Sequence, residues 1–110
     1  MLKYKAKKYF KFFSQKNINS LSLMFSKKIT LRDWKINKKG IKKVIKANLK
    51  IFEDCKKINI RILKIFQIKK IIIAELSIRV NKSKPFLVVD IIEFDKNNKI
   101  KSIRAYLGSS

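Results

Sequence analysis

Three residues stand where their type and place could do chemistry: Asp90, Tyr9 and Asp33. Asp90 interrupts an alternating run. Phe86, Val88, Asp90, Ile92 and Phe94 share one face of a predicted strand, opposite Leu87, Val89, Ile91, Glu93 and Asp95. The first face is the more apolar, so Asp90 is expected inside it. An ionised carboxylate there is costly unless it is paired. Desolvation favours the protonated acid, which is a hydrogen-bond donor suited to a pocket for a carbonyl or an oxyanion. A structural role fits the same position, through Arg104, Arg79 or a backbone N–H. Tyr9 lies on the apolar face of the first predicted helix, so its hydroxyl needs a partner in the core or reaches water. Asp33 ends a short strand beside Trp34, the sole tryptophan. It could face the mouth of a pocket or cap the following turn.

Other chemistry is removed by composition. The 110 residues contain no histidine and one cysteine, Cys55. Histidine-dependent nucleophiles, histidine metal ligands and an intrachain disulfide are therefore impossible, and no cofactor or metal site is expected. The net charge is +22, carried by 25 lysines and only 4 arginines. Lysine, isoleucine and asparagine, which share A/T-rich codons, make up 52 residues. The charge therefore reads as composition drift at least as well as nucleic-acid binding, which prefers arginine. Nucleic acid is discounted as the main partner, although anionic surfaces will attract the chain at low salt. No stretch has the length and apolarity of a membrane span, and no export signal is legible. A soluble, cytoplasmic protein is expected, with a single domain over residues 1–110.

The elements that must position these residues follow from periodicity. Leu2, Ala6, Tyr9, Phe10 and Phe13 recur at helical spacing. Asn17 is a cap, and Ile18, Leu21, Met24 and Phe25 form a second, short stripe. Ile29 to Trp34 reads as a short strand and Asn37 to Gly40 as a turn. Ile41, Val44, Ile45, Asn48, Leu49 and Phe52 form the cleanest amphipathic helix. Four strands follow: Ile58 to Ile68, Ile71 to Val80, Phe86 to Phe94 and Ile100 to Leu107. In the first of them Ile58, Ile60, Ile62, Phe66 and Ile68 are expected on one face. Short connections predict an antiparallel meander with three helices on one face, an α+β fold.

The closing segment carries a resemblance. Val89-Asp90-Ile91-Ile92-Glu93-Phe94-Asp95, then Lys99-Ile100, then Ser102-Ile103-Arg104-Ala105-Tyr106-Leu107-Gly108, resembles the last hairpin of the nuclear transport factor 2-like superfamily. The likeness is to its SnoaL-like and ketosteroid (steroid delta) isomerase-like branch. Gly40-Ile41 is similar to that family's third-helix start, and Asn17-Ile18 to its second helix. The resemblance implies a cone-shaped fold: three N-terminal helices on a curved, mostly antiparallel sheet around a deep pocket. It also implies roles. Asp33 would shuttle a proton, while Tyr9 and protonated Asp90 would bind the oxygen of a dienolate. Where the isomerases follow the base with a proline and glycine turn, this chain has Trp34-Lys35-Ile36, and the indole could roof the pocket.

The reading that results is a pocket protein for a small apolar carbonyl compound, with Phe13, Trp34, Phe86, Val88 and Ile92 around the three polar residues. If it is an enzyme, it is a cofactor-independent isomerase. The alternatives are a non-catalytic ligand-binding or dimerisation module of the same fold, and a basic binder of nucleic acid or anionic surfaces. Leu63, Ile65, Ile72, Ala74, Leu76 and Ile78 are expected to form an exposed apolar sheet face through which two copies pair.

Overall fold

Leu2, Ala6, Tyr9 and Phe10 fall on one side of helix α1 (Leu2–Ser14), and all four are buried. The computed structural model describes residues 1–108. Asn17 caps helix α2 (Ile18–Met24), its side-chain oxygen accepting from the Ser20 N–H at 3.2 Å. Strand β1 (Phe25–Arg32) begins four residues before the expected Ile29 and stops short of Asp33 and Trp34. Phe25 is already extended and pairs with Ile100, so tertiary pairing overrides the helical stripe that its spacing continues. Strand β2 (Asn37–Lys39) occupies the expected turn. It pairs antiparallel with β1 and is exposed along its whole length. A strand with no buried face has no hydrophobic pattern to announce it.

Gly40 opens helix α3 (Ile41–Asp54) with φ +90°, a backbone angle that side chains rarely adopt. A Cβ at Gly40 would meet nothing within 4 Å, so conformation rather than space demands the glycine. Val44, Asn48 and Phe52 are the buried stripe of α3. Strands β3 (Ile58–Ile68), β4 (Ile71–Val80), β5 (Phe86–Phe94) and β6 (Ile100–Leu107) complete the chain's elements. The six strands lie in the order β2-β1-β6-β5-β4-β3. All neighbours are antiparallel except β1 and β6, which run parallel. Helix α1 lies over β3 and β4, and α3 over β1 and β2. The result is the α+β arrangement expected, with the sheet mixed rather than a pure meander.

Two expectations about the sheet are corrected. The register of β3 against β4 shifts between Ile62 and Lys64. That bulge leaves Ile58, Ile60 and Ile62 facing the helices but turns Phe66 and Ile68 outward, 54% and 58% exposed. Ile65, opposite buried Ala74, now faces inward. On β4 the inner face is Ile72, Ala74 and Leu76, all fully buried, and Ile78 is half-buried. These four residues, with Ile65, are therefore not the exposed patch. Strand β4 is apolar on both faces, so alternation alone could not say which one the helices cover. The outer face is instead formed by Phe66, Ile71, Ile73, Ile91 and Val89, with Leu63, Leu87 and Tyr106 exposed near them.

All four arginines project from that outer face. Arg61 and Arg79 share its alternation with Ser77, and Arg32 and Arg104 are register partners. Arg104 donates to Glu93 Oε1 at 3.2 Å, and Arg32 to the Tyr106 hydroxyl at 2.9 Å.

Candidate active site

Each long element is solid at one end and lines a void at the other. On β5, Ile92 and Phe94 are packed shut, while Phe86, Val88 and Asp90 border a cavity. On α1, Leu2 and Ala6 are core, while Tyr9 and Phe13 border the same cavity. Its volume is about 350 Å³. Most of its wall is apolar; Tyr9, Asp33, Trp34, Lys35, Asn48 and Asp90 are the exceptions with polar side-chain groups, beside the thiol of Cys55. Tyr9, Asp33, Asp90, Phe13, Trp34, Phe86 and Val88 are thus brought together. Ile92 is not: it is fully buried in the solid end and does not line the cavity.

Asp90 faces inward by strand alternation. Its partners on the flanking strands are Ala74 and Ala105. Ala105, the small neighbour that itself lines the cavity, leaves room beside the carboxyl. Among the described residues no cation forms an ion pair with it: Arg104 is held by Glu93 on the other face, and Arg79 donates to the Ser83 carbonyl at 2.9 Å. Burial, and secondarily the nearby charge of Asp33, push the Asp90 pKa up from 3.8 to about 7. The group is held toward its neutral, donating form.

Tyr9 is fixed by aromatic contacts with Phe10 at 5.3 Å, Phe13 at 6.0 Å and Phe25 at 6.4 Å between ring centroids. Burial, then the charges of Asp90 and Asp33, push its hydroxyl well above the usual phenol range, so it stays a donor. Asp33 lies just past β1, in the loop that joins it to β2. Its Oδ1 accepts from the Lys35 N–H at 2.7 Å and the Ile36 N–H at 2.6 Å. The residue therefore both caps its turn and borders the cavity, so the two expectations for it are compatible. Trp34 meets Phe86 edge-on at 6.4 Å and is 43% exposed, placing the indole at the cavity's mouth. Phe13 meets Phe52 at 4.9 Å and ties α1 to α3.

Asn48 is the residue that sequence reasoning missed. It is 2% exposed, lines the cavity from α3, and its carboxamide makes no hydrogen bond to another described residue. No fully buried side-chain nitrogen or oxygen lacks a partner among the described residues. The unpartnered atoms of Asn48, Tyr9 and Asp90 must therefore be reachable from the cavity. The signal was available: a polar residue at i+4 from Val44 and i−4 from Phe52 breaks the apolar stripe as Asp90 breaks its strand.

Among the described residues no group of three or more His, Cys, Asp and Glu side chains gathers as a metal site, and no helix is long and apolar enough to cross a membrane. A groove between β2 and α3 collects Lys38, Lys39, Lys43, Lys46 and Lys50, and any anionic partner would be drawn there.

No family model matches the sequence, and no curated protein matches it. Solved structures do. An NTF2-like protein of unknown function from Cytophaga hutchinsonii has a TM-score of 0.82 at 13% identity, covering 98% of this chain and 90% of that one. A candidate ketosteroid isomerase from Kribbella flavida has 0.82 at 7% identity, covering 96% and 76%. An LEH-like epoxide hydrolase from M. tuberculosis has 0.79 at 10% identity, covering 94% and 79%. Likeness at such identity is a likeness of fold, and this fold carries more than one activity. Element order, sheet topology and these superpositions agree that the chain has the nuclear transport factor 2-like fold, as its closing hairpin suggested.

Proposed function

We propose that the protein binds a small apolar carbonyl compound in this cavity and catalyses proton transfer beside the carbonyl. One observation carries the reading: Tyr9, Asp33 and Asp90 border one largely apolar cavity, with Asp90 held toward its neutral form by burial. The Asp33 carboxylate takes a proton from the carbon next to the carbonyl. The C–H electron pair moves to form an enolate, and the charge gathers on oxygen. Tyr9 and protonated Asp90 donate to that oxygen in a water-poor site. Asp33 then returns the proton to the γ-carbon, so a β,γ double bond becomes α,β-conjugated. Atoms and electrons balance without a co-reactant.

The test is turnover of a small β,γ-unsaturated ketone. Wild type should convert it, and Asp33→Asn should lose about 10²–10⁴-fold, the usual contribution of a positioned acid or base. Asp90→Ala should lose about 10²–10³-fold, as for removal of one oxyanion donor. Equal rates for wild type and Asp33→Asn would overturn the proton-transfer reading. A second reading, ligand binding without turnover, is favoured by one detail: Asp33 Oδ1 is already committed to two backbone amides. Binding of an enolate-like phenol with no exchange of ketone α-protons would establish it.

The proposal extends to assembly. A second copy pairs through the outer sheet face, where apolar residues, Tyr106 and all four arginines concentrate. Aromatic residues and arginine are the types that protein interfaces enrich. Sedimentation as a monomer at micromolar concentration would overturn it.

A further inference from the structure

We propose that Asn48 is a specificity-determining residue of the cavity, and that the ligand carries a second hydrogen-bonding oxygen, a hydroxyl or a carbonyl, that meets its carboxamide. The inference rests on the carbonyl-binding reading above and adds the ligand's other end. Asn48 is buried, lines the cavity and has no partner for its carboxamide among the described residues. It also comes from a different wall. Tyr9 is carried by α1 over β3 and β4, and Asp90 by the sheet itself. Asn48 is carried by α3, which packs over β1 and β2. One oxygen held by Tyr9 and Asp90 therefore leaves the amide on α3 to be met by something else.

A purely apolar ligand body would cover that amide and strip it of water without replacing the hydrogen bond. A ligand with an oxygen there satisfies it, because a carboxamide both donates and accepts. Sites built to hydrogen-bond a ligand group discriminate strongly against the analogue that lacks it, since their own polar atoms are then left unpaired. Ile51 on α3 and Cys55 just past its end also border the cavity and offer no comparable donor and acceptor pair.

The experiment compares two probes by equilibrium dialysis at mildly acidic pH. One is 2-naphthol, whose single oxygen imitates an enolate. The other is 2,6-dihydroxynaphthalene, which adds an oxygen at the far end of the same rings. Wild type should bind the diol about tenfold more tightly than 2-naphthol. Asn48→Leu, which keeps the shape, should bind 2-naphthol more tightly than wild type does, since no amide is stripped of water, and lose the preference for the diol. Its thermal midpoint should hold or rise, because an unpartnered amide is replaced by an apolar side chain. A wild type with equal affinity for both probes overturns the assignment while leaving the carbonyl reading intact. So does a preference for the diol that survives in Asn48→Leu, or a fall in that variant's thermal midpoint. Binding of neither probe to wild type overturns both proposals together.

Discussion

The solid and hollow ends of the molecule are built from the same strands and read alike in sequence. On β5 both ends alternate, yet Ile92 and Phe94 meet packed neighbours while Val88 and Phe86 meet a cavity. What separates the ends is where polar residues interrupt inward faces. Asp90 interrupts β5, Asn48 interrupts α3 and Tyr9 adds a hydroxyl to α1, and all three border the void. At the solid end the corresponding inward positions, Ile72, Ala74, Ile92, Phe94 and Ile100, are uniformly apolar. A polar group on a packed face would cost stability, whereas on a cavity wall it keeps access to water or ligand. The hollow end is thus where this fold tolerates chemistry.

The largest effect should come from emptying the solid end. Ile92→Ala removes a fully buried side chain from a packed layer and should cost about 3–5 kcal/mol in urea unfolding. Ile78→Ala, which enlarges an existing cavity from a half-buried position, should cost about 1–2 kcal/mol. Equal costs would erase the distinction between the two ends.

The next effect is on pH dependence. Asp90 has a higher pKa in the fold than in the unfolded chain, about 7 against 3.8. The folded state therefore binds its proton more tightly. The stability this confers is fully present below 3.8 and is lost as the pH rises through about 7. Asp90→Asn should flatten that decline and be more stable than wild type at alkaline pH. Urea midpoints of both proteins across this range check it, and parallel curves would sink the account.

The smallest effect belongs to Asp95, just past the solid end of β5. There the carboxylate accepts from the Lys99 N–H at 3.0 Å and the Asn97 N–H at 2.8 Å in an exposed turn. Its pKa is lowered, chiefly by the Lys99 hydrogen bond. Its contribution therefore has the opposite sign, present above the unfolded pKa and lost as pH falls through the folded one. Asp95→Ala should lower the urea midpoint slightly at neutral pH and not at strongly acidic pH.

Legibility followed the local register. Asp90 could be placed because β5 pairs with β4 without interruption from Phe86 to Glu93. Phe66 and Ile68 could not, because the shift near Leu63 reverses the alternation with nothing in the side chains to announce it. Strand β2 was invisible because Asn37, Lys38 and Lys39 bury nothing. Ile92 was assigned to the cavity because alternation gives the face of a strand but not the depth along it. Asn48 lies on the legible stripe of α3, but one amide among apolar residues reads as a tolerated exception. Asp33 had two roles to choose between, and the geometry allows both at once.

The parallel pairing of β1 with β6 has a consequence for how the chain is made. Arg32 and Arg104 are register partners, so the wall that carries Asp33 waits for nearly the whole sequence to be translated. Contacts this distant along the chain form late and slowly. Until then β1 and β2 are a small hairpin with an unpaired edge, the kind of surface on which nascent chains aggregate. Lys27, Lys28, Lys38 and Lys39 lie on those two strands. Whatever produced this chain's abundance of lysine, like charges along those strands oppose edge-to-edge pairing of that hairpin with another copy.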